Sequence, residues 1–188
     1  MIHGWGGDED SMWVFAHGLP RDFWIVAPRA PYAVDAGGYS WWPRDSQQEG
    51  SRNLEDLEPL AQDLMALVDA HSLPWFQSPH RVITLGFSQG AAVAAAIALV
   101  HPGRVEKAAI LSGFLPGGLE GALESKALNQ TAFLIAHGTE DELIEISRAR
   151  DAARVLRSAG AAVVVCEDAV GHKVSAQCLR RVHEFLKS

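Results

Sequence analysis

Gly86-Phe87-Ser88-Gln89-Gly90 is the stretch that decides the fold of this chain. It follows an apolar, β-branched run at 81–85 and precedes an alanine-rich run at 91–100. The first run is typical of a buried strand and the second of a helix. A G-x-S-x-G sequence between a strand and a helix predicts a sharp turn that exposes the serine hydroxyl. Ser88 is therefore predicted to be a nucleophile, and the alternative is a serine that only caps the helix.

Composition limits the classes of protein to which the chain can belong. Its 188 residues suit one domain, predicted to span 1–188. The net charge of −7 argues against a nucleic-acid partner and against stable association with an anionic membrane. The N-terminus lacks the pattern of a secretory signal, and two cysteines, Cys166 and Cys178, make no disulfide framework. We therefore expect buried thiols in a cytoplasmic protein.

Apolar runs and helical periods alternate along the chain. Runs typical of buried strands lie at 23–28, 81–87, 107–111, 131–136 and 161–166, and helical periods lie at 53–70, 144–158 and 174–186. This alternation predicts an α/β fold with a mostly parallel sheet and helices on both faces. Sites in such sheets form at the carboxyl ends of the strands, which is where Ser88 lies.

A serine nucleophile needs a histidine base and a carboxylate that orients it. In the strand–turn–helix architecture the chain order is serine, acid, histidine. His172 lies in a loop after the last predicted strand and is preferred over His183, which falls within the last helix. Asp141, after the fourth predicted strand, is the predicted acid. The other acidic candidates are Glu140, Glu142, Glu167 and Asp168.

Two backbone N–H groups are predicted to form an oxyanion hole. One belongs to Gln89, the residue after the nucleophile. The second comes from a loop after an early strand, and the glycine-rich stretch at 3–7 fits that loop. Within it, Trp5 is the predicted donor. A disordered terminus is the alternative interpretation of this stretch.

These motifs together resemble the α/β-hydrolase superfamily, and within it the phospholipase/carboxylesterase group that includes acyl-protein thioesterases. The stretches that carry the resemblance run through nearly the whole chain, at 3–8, 28–31, 37–43, 86–90, 111–116, 137–141 and 171–172. The resemblance implies a fold without a large lid and a serine hydrolase, without cofactor or metal, that acts on acyl esters or thioesters. The family pattern His-Gly-x-x-Asp favours Asp141 over its acidic neighbours.

The resemblance also implies a substrate pocket bordered by the loop that holds Trp41 and Trp42. These rings, with Trp5 and Phe114, would supply an apolar acyl site near Ser88. For each ring the alternative is ordinary core packing.

One departure from the family pattern concerns the N-terminus. Only Met1 and Ile2 precede His3, where the family carries a central strand. We therefore expect a sheet truncated at its N-terminal strands, with unpaired backbone beside the serine turn. The sheet edge exposed in this way would favour a homodimer.

The expected function is hydrolysis of short- to medium-chain acyl esters through an acyl-enzyme. Acyl-thioesterase or lysophospholipase activity would use the same residues and is the enzymatic alternative. An alternative of another class is a vestigial hydrolase fold that only binds a ligand, since fold does not fix function.

Overall fold

The computed structural model describes residues 1–43, 52–72, 81–119 and 128–188. In these ranges the elements are, in chain order, α1 (Trp13–Ala16), β1 (Tyr32–Ala33), β2 (Tyr39–Ser40), α2 (Leu54–Ser72), β3 (Val82–Phe87), α3 (Gln89–Val100), β4 (Val105–Leu111), β5 (Ala132–Gly138), α4 (Ile146–Ser158), β6 (Ala162–Asp168) and α5 (Ala176–Lys187). None of the helices in these ranges is both long and apolar enough to cross a membrane.

The main sheet is parallel, with the described strands in the order β3-β4-β5-β6. Side chains alternate between its two faces. Ile110 and Ile135 pack into a core with α2, α3 and α4, whereas Leu111 and Ala136 pack into a core with α1 and α5. The predicted α/β fold, with a parallel sheet and helices on both faces, is confirmed.

The N-terminus joins the edge of this sheet through a single residue. Ile2 forms an isolated parallel bridge with Gly86 of β3. Its N–H donates to the Leu85 carbonyl at 2.8 Å, and its own carbonyl accepts the Phe87 N–H at 3.1 Å. The backbone immediately before the serine turn is therefore paired on this side, contrary to the expectation of unpaired backbone there.

The strand predicted at 23–28 is not formed. These residues make no ladder, and the Val26 carbonyl accepts a hydrogen bond from the Met1 amino group at 2.6 Å. Several of them instead line an apolar cavity of about 360 Å³, together with Ile83 and Leu85 of β3. An apolar run becomes a strand only where a neighbour supplies its backbone hydrogen bonds, and this segment has no such neighbour among the described residues.

A disulfide joins Cys166 on β6 to Cys178 on α5, with their Cα atoms 5.6 Å apart. The prediction of free thiols is therefore wrong, and it no longer supports a reducing compartment. Both residues are buried in the core beneath α5, as expected. Burial suits a thiol and a disulfide equally, so the pairing depends on how α5 packs across β6. The bond closes a ring over the loop that connects these two elements.

Reducing this disulfide is expected to lower the free energy of unfolding by about 3 kcal/mol, because a bond across a loop of this size restrains the unfolded chain. Urea unfolding with and without a reductant would measure the change. The double variant Cys166→Ala/Cys178→Ala should be insensitive to the reductant and is the control. An unchanged midpoint for the fully reduced native chain would contradict the prediction.

Candidate active site

Ser88 lies at the turn between β3 and α3 in a backbone conformation that is rare for a residue with a side chain. Its φ is 54° and its ψ is −118°. A Cβ atom on Gly86 would lie 2.0 Å from the Gly90 carbonyl oxygen, and one on Gly90 would lie 2.3 Å from that of Ile2. Both glycines are therefore required by steric contacts, and the predicted strand, turn and helix are present.

Hydrogen bonds connect Ser88, His172 and Asp141 in one line. The Ser88 Oγ atom lies 2.9 Å from His172 Nε2, and His172 Nδ1 lies 2.8 Å from Asp141 Oδ2. Because an ionised carboxylate can only accept, Nδ1 carries the proton and Nε2 is left to accept from the hydroxyl. The ring of Phe87 packs against the imidazole, with centroids 5.2 Å apart.

The Asp141 side chain is fully buried and surrounded by donors. Its Oδ1 atom accepts the N–H groups of Leu143 and Ile144, both at 3.0 Å. Burial raises the pKa of Asp141, but the hydrogen bonds from Ile144, His172 and Leu143 outweigh this effect and hold the pKa below its usual value. The carboxylate is therefore ionised at neutral pH.

Pairing of the strand ends brings His172 to Asp141. β5 and β6 remain in register as far as Gly138 and Asp168. Beyond them, the Thr139 N–H donates to the Asp168 carbonyl at 2.8 Å and the Glu140 N–H to the Val170 carbonyl at 3.1 Å. A Cβ atom on Gly138 would lie 2.0 Å from the Val170 oxygen, so the two loops approach closely only because this residue is glycine.

The alternative acids and base do not contact the proposed pair of His172 and Ser88 through any hydrogen bond among the described residues. Glu167 pairs with Arg150 at 2.7 Å, and His183 bonds to the Phe15 carbonyl at 3.2 Å. Within the described part of the chain, none of the remaining candidates makes a hydrogen bond to the His172 ring: Glu140, Glu142 and Asp168.

Neither of the two N–H groups predicted for the oxyanion hole donates to a carbonyl among the residues that the structure describes. Gln89 is the first residue of α3, so its N–H has no partner in the helix. A Cβ atom on Gly4 would lie 3.2 Å from the Ser88 Cβ, which places the N-terminal loop against the nucleophile. Among the described residues, no carbonyl accepts the N–H of Trp5, which follows Gly4 directly.

His3 fixes this loop, a role that the sequence did not reveal. The buried ring accepts the Ala30 N–H at Nε2, at 3.1 Å, and donates from Nδ1 to the Gly4 carbonyl, at 2.8 Å. Burial lowers the pKa of His3, which favours the neutral ring. That form has one donor and one acceptor, and both are used here.

Trp41 does not line the pocket, contrary to the prediction. Its side chain is buried, and its indole N–H donates to the His3 carbonyl at 2.7 Å. The Gln89 side chain holds the same segment, because its oxygen accepts the Trp41 N–H at 3.0 Å and its amide donates to Ser40 Oγ at 2.9 Å. Trp41 thus supports the loop at 3–7 and does not face the substrate cavity.

A cavity of about 460 Å³ opens beside Ser88. The predicted pocket residues Trp5, Trp42 and Phe114 line it. Two apolar residues of the turn after Asp141, Leu143 and Ile144, also line the cavity. Its charged lining residues are Glu145 and Arg148. The Arg148 guanidinium stacks over the Phe114 ring, 5.0 Å from its centroid.

Comparison with known proteins identifies relatives of the chain. A protein of Oryza sativa subsp. japonica named a probable inactive carboxylesterase is 30% identical over 175 residues, which is 88% of this chain and 66% of that protein. The carboxylesterase SOBER1 of Arabidopsis thaliana is 29% identical over 116 residues, 58% of this chain and 49% of that protein. The chain therefore spans less than two thirds of the length of these curated relatives.

Two solved structures and a family model are also similar to the chain. The Bacillus cereus carboxylesterase has a TM-score of 0.84 at 20% identity, over 99% of this chain and 85% of that one. Zea mays acyl-protein thioesterase 2 has a TM-score of 0.75 at 19% identity, over 99% and 90%. These similarities show the α/β-hydrolase fold. The phospholipase/carboxylesterase model matches residues 1–188, and the chain belongs to that family of hydrolases.

Proposed function

We propose that the protein is a serine carboxylesterase that hydrolyses short- to medium-chain acyl esters through an acyl-enzyme. The observation that supports this most directly is the line of hydrogen bonds from Asp141 through His172 to Ser88. A structural serine would need no histidine in contact with its hydroxyl, and no buried carboxylate behind that histidine. The reaction needs no cofactor, since the three side chains supply nucleophile, base and acid.

In the first half of the proposed reaction, Ser88 Oγ attacks the ester carbonyl carbon. His172 Nε2 takes the hydroxyl proton as the new C–O bond forms. The carbonyl oxygen becomes an oxyanion, which accepts hydrogen bonds from the N–H groups of Trp5 and Gln89. Collapse of this intermediate breaks the bond to the alcohol, which leaves with the proton returned by the imidazolium.

In the second half, a water molecule replaces the alcohol. His172 removes a proton from this water, whose oxygen attacks the acyl carbon and forms a second oxyanion in the same hole. Collapse of this intermediate breaks the bond between the acyl carbon and Ser88 Oγ, which takes the proton from the imidazolium, and the carboxylic acid leaves. Asp141 remains ionised throughout and stabilises the imidazolium in each half, consistent with the lowered pKa of its carboxyl group.

The cavity beside Ser88 supports the acyl part of the proposal. Its aromatic walls, from Trp42 and Phe114, suit an alkyl chain, and a volume of about 460 Å³ suits one of short or medium length. Glu145 and Arg148, at the same cavity, keep part of the wall polar.

Thioester or lysophospholipid hydrolysis is a second candidate, favoured by the family description and by the similarity in fold to the maize thioesterase. A vestigial hydrolase fold that only binds a ligand is a third candidate, because one relative is named a probable inactive carboxylesterase.

A labelling experiment and a substrate series would test these proposals. A fluorophosphonate probe should add to Ser88 in the native protein, as measured by intact mass and peptide mapping, and an unlabelled Ser88 would favour the vestigial alternative. Matched butyryl and octanoyl oxygen esters, thioesters and lysophospholipids would then be compared. A higher kcat/KM for the oxygen esters is the expected result, and a preference for thioesters or lysophospholipids would overturn the carboxylesterase proposal in favour of the second candidate.

A further inference from the structure

His137, near the end of β5, is a buried histidine to which the proposed mechanism gives no role. Its Nε2 atom lies 2.8 Å from the Ile144 carbonyl oxygen and 3.4 Å from Asp141 Oδ2. A carbonyl oxygen can only accept, so Nε2 carries a proton. The side chains of His137 and Asp141 are both fully buried, so neither is in contact with bulk solvent.

The His137 Nε2–H bonds to the turn at 141–144, which carries the Asp141 carboxylate. Asp141 Oδ1 holds the N–H group of Ile144, and His137 holds the carbonyl of the same residue. Asp141 Oδ2 faces two imidazole rings, His172 at 2.8 Å and His137 at 3.4 Å. The turn is thus held at both ends of one residue, and the carboxylate is confined between two rings.

We infer that His137 is a positioning residue, whose Nε2–H fixes the turn at 141–144 and thereby the carboxylate that orients His172. The inference rests on the proposed function, because it assigns His137 to the same site. A catalytic group displaced by about 1 Å can cost about 100-fold in rate, so a donor that prevents such movement acts on kcat although it touches no substrate.

The two nitrogens of His137 contribute unequally, which makes the inference testable. Nδ1 is buried and has no hydrogen-bond partner within the described part of the chain. Ser112 directly follows the neighbouring strand β4 and donates its N–H to the Ala136 carbonyl at 2.8 Å. Its buried Oγ is likewise without a partner in the described part of the chain. Of the two ring nitrogens, only Nε2 therefore bonds to the turn. A glutamine amide can reach the Nε2 position, whereas an asparagine amide reaches only the Nδ1 position.

The experiment compares His137→Gln, His137→Asn and His137→Phe. His137→Gln is expected to keep kcat on p-nitrophenyl butyrate within about threefold, whereas the Asn and Phe variants should lose about 10- to 100-fold with KM unchanged. The same Gln and Asn substitutions at His101, at the end of α3 and outside the site, are the matched controls and should leave kcat unchanged. If His137→Phe fails to fold, the Gln and Asn variants still provide the comparison.

A second measurement does not require turnover. The proton that His172 Nδ1 donates to Asp141 should give a far-downfield NMR resonance, retained in His137→Gln and lost or shifted in His137→Asn. If the native protein hydrolyses no ester, the proposed function is contradicted. The NMR resonance still tests the role of His137, because it does not depend on turnover. The inference is overturned if all three variants keep both kcat and the resonance, or if glutamine loses as much as asparagine.

Discussion

Ser88→Ala is expected to lower kcat/KM for p-nitrophenyl butyrate by about 10⁴- to 10⁶-fold. The substitution removes the atom that would form the acyl-enzyme while leaving His172, Asp141 and both N–H donors in place. Any remaining turnover would come from the oxyanion hole and from substrate binding. Initial rates with purified variant at high enzyme concentration would measure the loss, and the fluorophosphonate should no longer label the protein.

The fold should survive this change. The Ser88 hydroxyl bonds to His172 and does not cap α3, and alanine at φ 54° meets the same backbone strain as serine. The urea midpoint is therefore expected to stay close to that of the native chain. Ser112→Ala is the matched control, because Ser112 also directly follows a strand and has a positive φ, 44°, and it should keep full activity. Retained activity in Ser88→Ala would contradict the nucleophile assignment.

Asp141→Asn is expected to lower kcat by about 10⁴-fold. The carboxylate is surrounded by donors: the N–H groups of Leu143 and Ile144, and the ring of His172. An amide has only one oxygen, so its NH₂ group must face one of these donors. If it faces His172, the ring adopts the other tautomer, and a protonated Nε2 can no longer take the proton of Ser88.

The control for this variant is Asp168→Asn. Asp168 is an alternative acid from the sequence, and its carboxylate accepts only the neighbouring Ala169 N–H, at 2.9 Å, among its described side-chain contacts. Steady-state kinetics should show full activity for Asp168→Asn. If Asp168→Asn loses activity and Asp141→Asn keeps it, the catalytic acid is Asp168, at the end of β6, and the assignment of Asp141 is wrong.

Much of this fold could be predicted because its strands are parallel and buried. Such strands are continuous apolar runs in the sequence, and their carboxyl ends meet at one edge of the sheet. Ser88, Asp141 and His172 each follow one of these runs, so their encounter follows from chain order. The serine turn could be predicted from its two glycines, which are required by contacts local to the motif.

Features that depend on contacts between distant segments could not be predicted in this way. Trp41 is a large aromatic residue in a loop, which is typical of a pocket residue. Its two N–H groups bond to Gln89 and His3, which are far away in the sequence, so its buried position could not be predicted. The Cys166–Cys178 bond depends on the packing of a helix across a strand. The contacts of His137 follow from the path of the turn after it, and the His-Gly-x-x-Asp pattern indicated only that Asp141 is the preferred acid.

The disulfide changes what a break in the chain would do near the proposed base. Lys173, next to His172, is exposed within the ring that the bond closes, and is a site at which trypsin could cut. After such a cut, residues 174–188 would remain covalently attached through Cys178. α5 would keep its buried contacts at Val182 and Phe185, so the nicked protein would migrate as one species until it is reduced.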